Sequence, residues 1–390
     1  MQLTKEERDM LKGKHGKATK KAMQILVTLG NIYGAKRLIP VKSVQVAGVS
    51  YHNLGDAGLE LLEDLAKDAR VRVLTTLNPA GMDLENWKAL GISKGFAKKQ
   101  ERVIEAFRKM GVTITCTCTP YLIGNLPLFN EHIAWSESSA VCFANSVLGA
   151  KTNRESGFSS LASALTGKTP EYALHLDKNR QAKVIVEVRA KLESIADFGA
   201  LGKAIGDKIG NTIPLIKGVR EANLEQLKCL CASIATFGGT AMFHMDGITP
   251  NRTRVPRKKV YITAKDIGKA KRELSDRTEI DFIAVGCPHA SLRELADIAK
   301  MLKGKKVKKE FWIACARPVK KVADLMGYTK IIEKAGAKFA CDTCMAVAPL
   351  KGRFKGMMTN SAKACFYGRG SNAFKVKIAT LKDCVREALK

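Results

Sequence analysis

Short runs of β-branched and apolar residues alternate along the chain with longer segments of helical periodicity. Residues 43–49 form the first such run, and 56–68 follow with Leu59, Leu62 and Leu65 on one helical face. A second amphipathic helix is predicted over 96–110, and further strands are predicted at 71–75, 112–116, 183–188, 213–216, 281–285, 311–314 and 338–340. Strands separated by helices indicate βαβ units, so we expect an α/β fold of several lobes with mostly parallel sheets.

The spacing of these elements also bears on the architecture. Eight regular repeats of similar length are not visible, which argues against a TIM barrel. We therefore expect about three α/β lobes within residues 1–390, with the polar stretch 247–259 as the best candidate for a crossing between lobes. No apolar run approaches the length of a membrane span, and the N-terminus has no signal-peptide pattern, so a cytoplasmic location and no membrane partner are expected.

The charge balance is unusual for a globular chain. Among 390 residues, 66 are Lys or Arg and 37 are Asp or Glu, which gives a net charge of +29. Such a balance attracts anions. The lysines are spread along the chain and aromatic residues make up only 6%, whereas nucleic-acid binders concentrate their charge and stack bases on aromatic rings. Solvated surfaces are therefore favoured and no nucleic-acid partner is expected. An acidic partner, an anionic substrate and a nucleic-acid-binding protein remain as alternatives.

Cysteines follow four of six predicted strand ends, where open parallel sheets bind their ligands. Eleven cysteines in a cytoplasmic chain do not indicate a disulfide framework. The strand-end set comprises Cys116, Cys118, Cys287, Cys315, Cys341 and Cys344. The other five are interpreted as small buried apolar side chains: Cys142, Cys229, Cys231, Cys365 and Cys384.

Three kinds of site are compatible with the strand-end cysteines. A redox pair would use Cys341 and Cys344 alone, although the residues after Cys344 are poorly suited to the helix that such a motif requires. A structural zinc site would combine that pair with Cys116 and Cys118. An iron–sulfur cluster would take single cysteines from distant loops, and three protein thiolates would leave one iron free to act as a Lewis acid.

Several longer motifs occur together and carry a family resemblance. They are VAGVSYHNLGDAGLE (46–60), TLNPAGMD (76–83), CTPYLIGNLP (118–127), EHIAWSESSAVCFANSVLGAKTNRESG (131–157), HMDGITP (244–250), GCPHASLREL (286–295), CDTC (341–344) and TNSAK (359–363). Over essentially its whole length the chain resembles the large subunit of archaeal aconitase X enzymes. The motif EHIAWSES with FANSVLGA is highly specific for this family, whereas GCPH or CDTC alone would be weak evidence of the resemblance.

The resemblance implies an aconitase-like fold around a central iron–sulfur site and a hydro-lyase activity. The expected reaction converts (R)-5-phosphomevalonate into trans-anhydromevalonate 5-phosphate and water in the archaeal mevalonate pathway. A dehydratase of another hydroxy acid, such as cis-3-hydroxyproline, is the alternative. The bacterial relatives that act on hydroxyproline are expected to carry Thr at the position of Cys287. The family also implies that the swivelling domain is absent from this chain and that a small subunit supplies it.

Matching the motifs residue by residue gives the expected site. The resemblance assigns Cys118, Cys287 and Cys344, but not Cys341, as ligands of a [4Fe-4S] cluster whose iron acts as a Lewis acid. It implies catalytic roles for Glu137 and Ser138, and substrate binding by Gly48, Val49, Ser50, Asn78, Pro79, Glu137, Ser138 and Lys363. Local alternatives exist: a turn glycine at 48, a turn at 78–79, a helix cap at 137–138 and a solvated lysine at 363.

Overall fold

The computed structural model describes residues 1–390 and contains three separate parallel β-sheets, each flanked by helices. This arrangement confirms the expected α/β fold of several lobes with mostly parallel sheets. No helix combines the length and the apolar character that crossing a bilayer would require.

The first lobe carries a three-stranded parallel sheet and a small antiparallel pair. Its helices are α1 (Lys5–Leu11), α2 (Lys17–Ile32), α3 (Tyr51–Leu65), α4 (Lys94–Lys109), α5 (Ser138–Phe143) and α6 (Gly157–Thr166). Its strands are β1 (Leu38–Pro40), β2 (Ser43–Val46), β3 (Leu74–Leu77), β4 (Ala134–Trp135) and β5 (Lys168–Pro170). The parallel sheet has the order β3-β2-β4, and β1 pairs with β5. Its core forms where α2, α3, α4 and α6 pack on these strands.

The second lobe is a four-stranded parallel sheet with three helices. Its elements are β6 (Val184–Val188), α7 (Ile195–Ile209), β7 (Pro214–Lys217), α8 (Leu224–Phe237), β8 (His244–Met245), β9 (Lys259–Ile262) and α9 (Ala264–Glu273). The strand order is β8-β7-β6-β9. The stretch 247–259, expected as a crossing between lobes, instead joins β8 to β9 within this sheet. It is long because it passes from one edge strand of the sheet to the opposite edge, and it is polar because its residues are exposed or half-buried.

The third lobe is a five-stranded parallel sheet in the order β12-β11-β10-β13-β14. Its elements are β10 (Phe282–Ala290), α10 (Leu292–Leu302), β11 (Glu310–Cys315), α11 (Arg317–Leu325), α12 (Tyr328–Lys334), β12 (Lys338–Cys341), β13 (Gly356–Thr359), α13 (Ala362–Asn372), β14 (Lys375–Ile378) and α14 (Leu381–Ala388). All nine residues of β10 are buried. Helices therefore cover both faces of this central strand, as parallel sheets require.

One predicted strand, residues 112–116, is not formed, although the segment runs beside β3. The backbone N–H of Thr113 donates to Thr75 O at 2.9 Å, but further along a side chain replaces the ladder. The Thr115 hydroxyl accepts from Leu77 N at 3.0 Å and donates to Leu77 O at 3.1 Å. The next residue, Cys116, has a φ of 42° and turns the chain away from the sheet.

The strand predicted at 71–75 is displaced along the chain and appears as β3. Val71 N donates to Met110 O at the end of α4, and Arg72 N donates to Ala164 O in α6. Because these two residues bond to neighbouring helices, regular pairing with β2 starts only at Leu74.

Candidate active site

A cavity of about 650 Å³ lies between the three lobes, beyond the carboxyl ends of several strands. Its lining includes residues that sequence analysis singled out from seven separate motifs: Gly48, Asn78, Pro79, Cys118, Glu137, Ser138, Cys287, Cys344 and Lys363. The second lobe contributes Ala235 and Thr236 from the end of α8. Segments far apart in the sequence thus converge on one site.

Three cysteines differ from the other eight in their surroundings. Cys118 and Cys287 are each 8% exposed and Cys344 is 6% exposed, whereas no other cysteine exceeds 2%. These three also line the cavity, and the other eight do not. The residual exposure therefore separates the three predicted cluster ligands from the eight cysteines that are almost completely buried.

Local backbone features direct each of the three thiols. The pairing of β10 with β11 is interrupted between Val285 and Ala290, so Cys287 leaves the regular ladder. Gly286 is needed at this break because it has a φ of 88° and a Cβ there would lie 2.0 Å from Ala314 O. Cys118 follows the left-handed turn at Cys116.

The turn before Cys344 depends on an ion network between the first and third lobes. Asp342 adopts a left-handed conformation with a φ of 61°. Its carboxylate pairs with Arg317, whose Nη2 also donates to Asp83 Oδ1 at 2.7 Å. The other oxygen of Asp83 accepts from Cys341 N at 2.9 Å. Arg317 and Asp83 therefore hold both ends of the Cys341–Asp342 turn that leads to Cys344.

Burial raises the pKa of all three cavity thiols. Burial is the largest cause of the raised pKa of Cys118, and the negative charge of Glu137 and the neighbouring Cys344 and Cys287 raise it further. Burial and Cys287 raise the pKa of Cys344 to about 12. The pKa of Cys287 is also raised by burial, against which Lys363 acts in the opposite direction. The thiols are thus protonated by themselves, and a bound metal would be required to ionise them.

The chemistry of this donor set fits an iron–sulfur cluster with three protein ligands. Thiolates are the usual cluster ligands, and these three reach a common cavity from separate loops. No three His, Cys, Asp or Glu side chains are grouped closely enough to hold a single metal ion. Cys118, Cys287 and Cys344 are the residues that would hold the group.

The other cysteine hypotheses do not match the geometry. Cys341 Sγ lies 3.8 Å from Cys315 Sγ within the core of the third lobe, away from the cavity. Cys116 belongs to the hydrophobic core of the first lobe. Two of the four cysteines of the zinc hypothesis, Cys116 and Cys341, therefore lie in separate cores, away from Cys118 and Cys344 in the cavity. Turns rather than a helix follow Cys344, so the arrangement of a redox CxxC motif is also missing.

Glu137 and Lys363 form a buried ion pair across the boundary of the first and third lobes. Glu137 is the N-cap of α5, and its Oε2 accepts from Ala140 N at 2.7 Å and from the Ser139 hydroxyl at 2.5 Å. The Ser138 hydroxyl is 3.5 Å from Glu137 Oε1 and faces the cavity. Glu137 thus has the expected capping role and lines the cavity as well, and Lys363 is not a solvated lysine.

This ion pair fixes the charge of both partners. Burial alone would raise the pKa of Glu137, but the charge and hydrogen bond of Lys363 hold it below its ordinary value. Burial likewise works against the charged form of Lys363, yet Glu137 raises the pKa of the ammonium. The carboxylate is therefore ionised at neutral pH beside the three thiols.

The remaining predicted substrate-binding residues divide into two groups. Gly48, Asn78 and Pro79 line the cavity, and the buried Oδ1 of Asn78 has no hydrogen-bond partner within the chain. Val49 and Ser50 do not line it. Val49 packs in the core of the first lobe, and the Ser50 hydroxyl donates to Val347 O at 3.3 Å.

Sequence reasoning missed several residues of the cavity wall. Arg154 lines the cavity with an exposed side chain, so it is a second cation there besides the paired Lys363. Phe366 and Tyr367 also line it, one turn of α13 after Lys363. Arg154 lies in the TNRESG end of a motif quoted above, but a single arginine among 66 basic residues carried no signal of its own.

Family models match almost the entire chain. The aconitase X first domain matches residues 1–178, the second domain matches 182–272 and the third domain matches 280–390. The three ranges correspond to the three lobes, and their boundaries fall in the connections before β6 and before β10.

Individual relatives and a solved structure agree with these matches. The phosphomevalonate dehydratase large subunit of Thermococcus kodakarensis is 50% identical over 100% of both chains, and that of Methanocaldococcus jannaschii is 50% identical over 94% of this chain and 95% of its own. A cis-3-hydroxy-L-proline dehydratase of Pseudomonas aeruginosa is 35% identical over 97% of this chain and 68% of its own. The crystal structure of Thermococcus kodakaraensis aconitase X in its holo-form has a TM-score of 0.93 at 47% identity and covers 100% of both chains.

Proposed function

Since this chain belongs to the aconitase X family and is a hydro-lyase, we propose that it dehydrates (R)-5-phosphomevalonate to trans-anhydromevalonate 5-phosphate. The observation that carries the proposal is the 50% identity, over the full length of both chains, to a relative named phosphomevalonate dehydratase large subunit. The hydroxyproline alternative rests on a relative that is 35% identical and of which this chain matches only 68%.

The reaction defines what the site must do. A C–H bond next to the substrate carboxylate and the C–O bond of a tertiary hydroxyl break, a C=C bond forms, and the hydroxyl leaves as water after taking up a proton. We assign Cys118, Cys287 and Cys344 to a [4Fe-4S] cluster. When bound, such a cluster supplies a Lewis-acidic iron without a protein thiolate, which assists the departure of a poor leaving group.

The chain's own residues would bind and orient the substrate. Glu137, which Lys363 keeps ionised, can accept a hydrogen bond from the substrate hydroxyl or relay a proton. The Ser138 hydroxyl can donate beside it, and the unpartnered Asn78 Oδ1 can accept from the substrate. Arg154 is suited to the phosphate because its guanidinium can donate two parallel hydrogen bonds to phosphate oxygens. The backbone near Gly48 is a second candidate for anion binding.

A second polypeptide completes the proposal. The relatives of highest identity above are named large subunits, which supports a partner small subunit for this chain as well. We propose that this partner carries the swivelling domain, covers the cavity and excludes water from it. It would also be able to provide the base that removes the proton.

The test is anaerobic purification with and without the small subunit, followed by iron, acid-labile sulfide and dehydratase assays. We expect about four irons and four sulfides per large chain, with turnover of 5-phosphomevalonate and none of cis-3-hydroxyproline. Replacement of Cys118, Cys287 or Cys344 by Ser should abolish cluster assembly. Full turnover by the large chain alone would contradict the role of the partner.

Matched variants make this test specific. Cys229→Ser and Cys384→Ser, which change buried cysteines outside the cavity, should keep the cluster. Loss of iron in Cys341→Ser but not in Cys344→Ser would show that Cys341, and not Cys344, is the ligand in the CDTC motif. Salt-sensitive nucleic-acid binding by a protein without iron would favour the nucleic-acid alternative.

A further inference from the structure

One histidine outside the cavity wall contacts the loops of all three cavity thiols. His289 is fully buried in the third lobe, two residues after Cys287. Its backbone N–H donates to Cys118 Sγ at 3.2 Å. Its ring nitrogens lie 3.0 Å from the Thr117 hydroxyl and 3.0 Å from Thr343 O. Thr117 precedes Cys118 and Thr343 precedes Cys344, so His289 joins the three thiol-bearing segments directly.

The hydrogen-bond partners fix the tautomer of this ring. The Thr343 carbonyl can only accept, so Nε2 of His289 carries the hydrogen. A neutral imidazole with its hydrogen on Nε2 has Nδ1 as an acceptor, and the Thr117 hydroxyl donates to it. Nε2 thus donates to the loop of Cys344, and Nδ1 accepts from the loop of Cys118.

The backbone of His289 is also held from the second lobe. The buried Nζ of Lys228, in α8, donates to His289 O at 2.7 Å and to Glu294 at 2.5 Å. Glu294 accepts from Ser291 N at 3.0 Å, which anchors the start of α10. Every polar atom of His289 therefore has a partner, and the partners come from all three lobes.

We infer that His289 is a positioning residue that sets the separation of Cys118, Cys287 and Cys344. The inference rests on the proposed cluster for its function, but the arrangement itself belongs to the chain. His289 does not line the cavity, so it acts through the thiols and not on the substrate. The hydrogen bond from its backbone N–H to Cys118 Sγ also stabilises negative charge on that sulfur. Hydrogen bonds to the ligand sulfurs tune the properties of a cluster.

Two substitutions separate the bonds made by the two ring nitrogens. In His289→Gln the side-chain amide can still donate to Thr343 O but cannot accept from Thr117. In His289→Asn the side-chain oxygen can still accept from Thr117 but does not reach Thr343 O. The first variant should therefore release the Cys118 loop and the second should release the Cys344 loop.

The measurement is site-resolved alkylation of the full metal-free chain by iodoacetamide, followed by mass spectrometry. We expect Cys118 to react about tenfold faster in His289→Gln, with Cys344 little changed, and the reverse in His289→Asn; this is the effect of losing roughly one hydrogen bond. Buried Cys229 and Cys384 serve as internal controls whose rates should not change.

Two outcomes would overturn the inference: equal acceleration at Cys118 and Cys344 in both variants, which indicates general loosening, or no change in either. The result does not depend on iron. A wild-type protein that binds no iron would therefore refute the proposed cluster, while the alkylation rates would still decide the role of His289.

Discussion

Lys363 and Glu137 illustrate how burial changes the meaning of a single charge. A lysine on the surface can be exchanged with little effect, but Lys363 is only 9% exposed and its charge is balanced by one carboxylate. Removal of one partner from a buried ion pair leaves the other charge uncompensated, whereas removal of both need not destabilise the fold. The pair is therefore best studied by a double substitution.

We predict that Lys363→Met lowers the free energy of unfolding of the metal-free chain by about 3–5 kcal/mol. Adding Glu137→Gln should restore most of this stability, because no buried charge then remains. Dehydratase activity should fall roughly 10- to 150-fold in the single variant and should not recover in the double variant. Urea unfolding and steady-state kinetics are the measurements.

Exposed Lys42, just before β2, provides the control for this pair. Lys42→Ala should change the unfolding free energy by no more than about 0.5 kcal/mol. If Lys363→Met were as stable and as active as Lys42→Ala, the importance of the buried pair would be refuted.

At the scale of elements, four strands of the second and third lobes were the most predictable. Continuous apolar runs located β6, β7, β11 and β12 within one residue at each end, because both faces of these strands are largely buried. The segment 112–116 also consists of β-branched and apolar residues, yet the Thr115 hydroxyl takes the place of backbone hydrogen bonds to β3 there. Periodicity contains no information about such a replacement, so the prediction of a strand was wrong.

The Thr115 side chain should therefore matter more than its size suggests. Thr115→Val keeps the shape but removes both hydrogen bonds to Leu77, which leaves the buried Leu77 N–H unpaired, while Leu77 O keeps the bond from Thr117 N. We expect a loss of about 1–3 kcal/mol in unfolding free energy. Thr113→Val, at an exposed position of the same segment, should cost little. Equal effects of the two changes would contradict this account.

The candidate site was predictable to the extent that motif residues reached the cavity. Gly48, Asn78 and Glu137 line the cavity, whereas Val49 and Ser50 do not. A sequence motif shows which residues are adjacent in the chain but not the direction in which each side chain points. His289 was quoted within GCPH, but its connections to Thr117 and Thr343 exist only after distant segments have docked. Long-range hydrogen bonding of this kind has no local signal.

For the whole molecule, buried histidines couple stability to pH. Burial lowers the pKa of His175 from 6.5 to about 3, and the neighbouring His132, Lys151 and Arg180 add to this effect. His175 Nδ1 lies 2.9 Å from His132 Nδ1, while its Nε2 has no partner. Below pH 6.5 the unfolded chain therefore binds a proton that the folded chain refuses. Stability is complete above that pH and is lost as the pH falls toward 3.

We predict that His175→Asn weakens this dependence. Asn can keep the contact with His132 but cannot take up a proton, so the slope of unfolding free energy between pH 6 and 4 should decrease by roughly 1.4 kcal/mol per pH unit. Urea titrations of the metal-free chain at several pH values provide the measurement. The exposed His52→Asn should leave the slope unaltered, and an unaltered slope in His175→Asn would refute the prediction.

The positions of the three cavity thiols along the chain have a consequence for biosynthesis. Cys118, Cys287 and Cys344 belong to segments separated by more than half of the polypeptide, and Lys363 follows later still. A ribosome must therefore synthesise nearly the whole chain before any ligand shared by these groups can be bound. Until that moment a nascent chain carries free thiols, so a ligand held by all three can be delivered only after Cys344 has been synthesised and its segment has packed against those of Cys118 and Cys287.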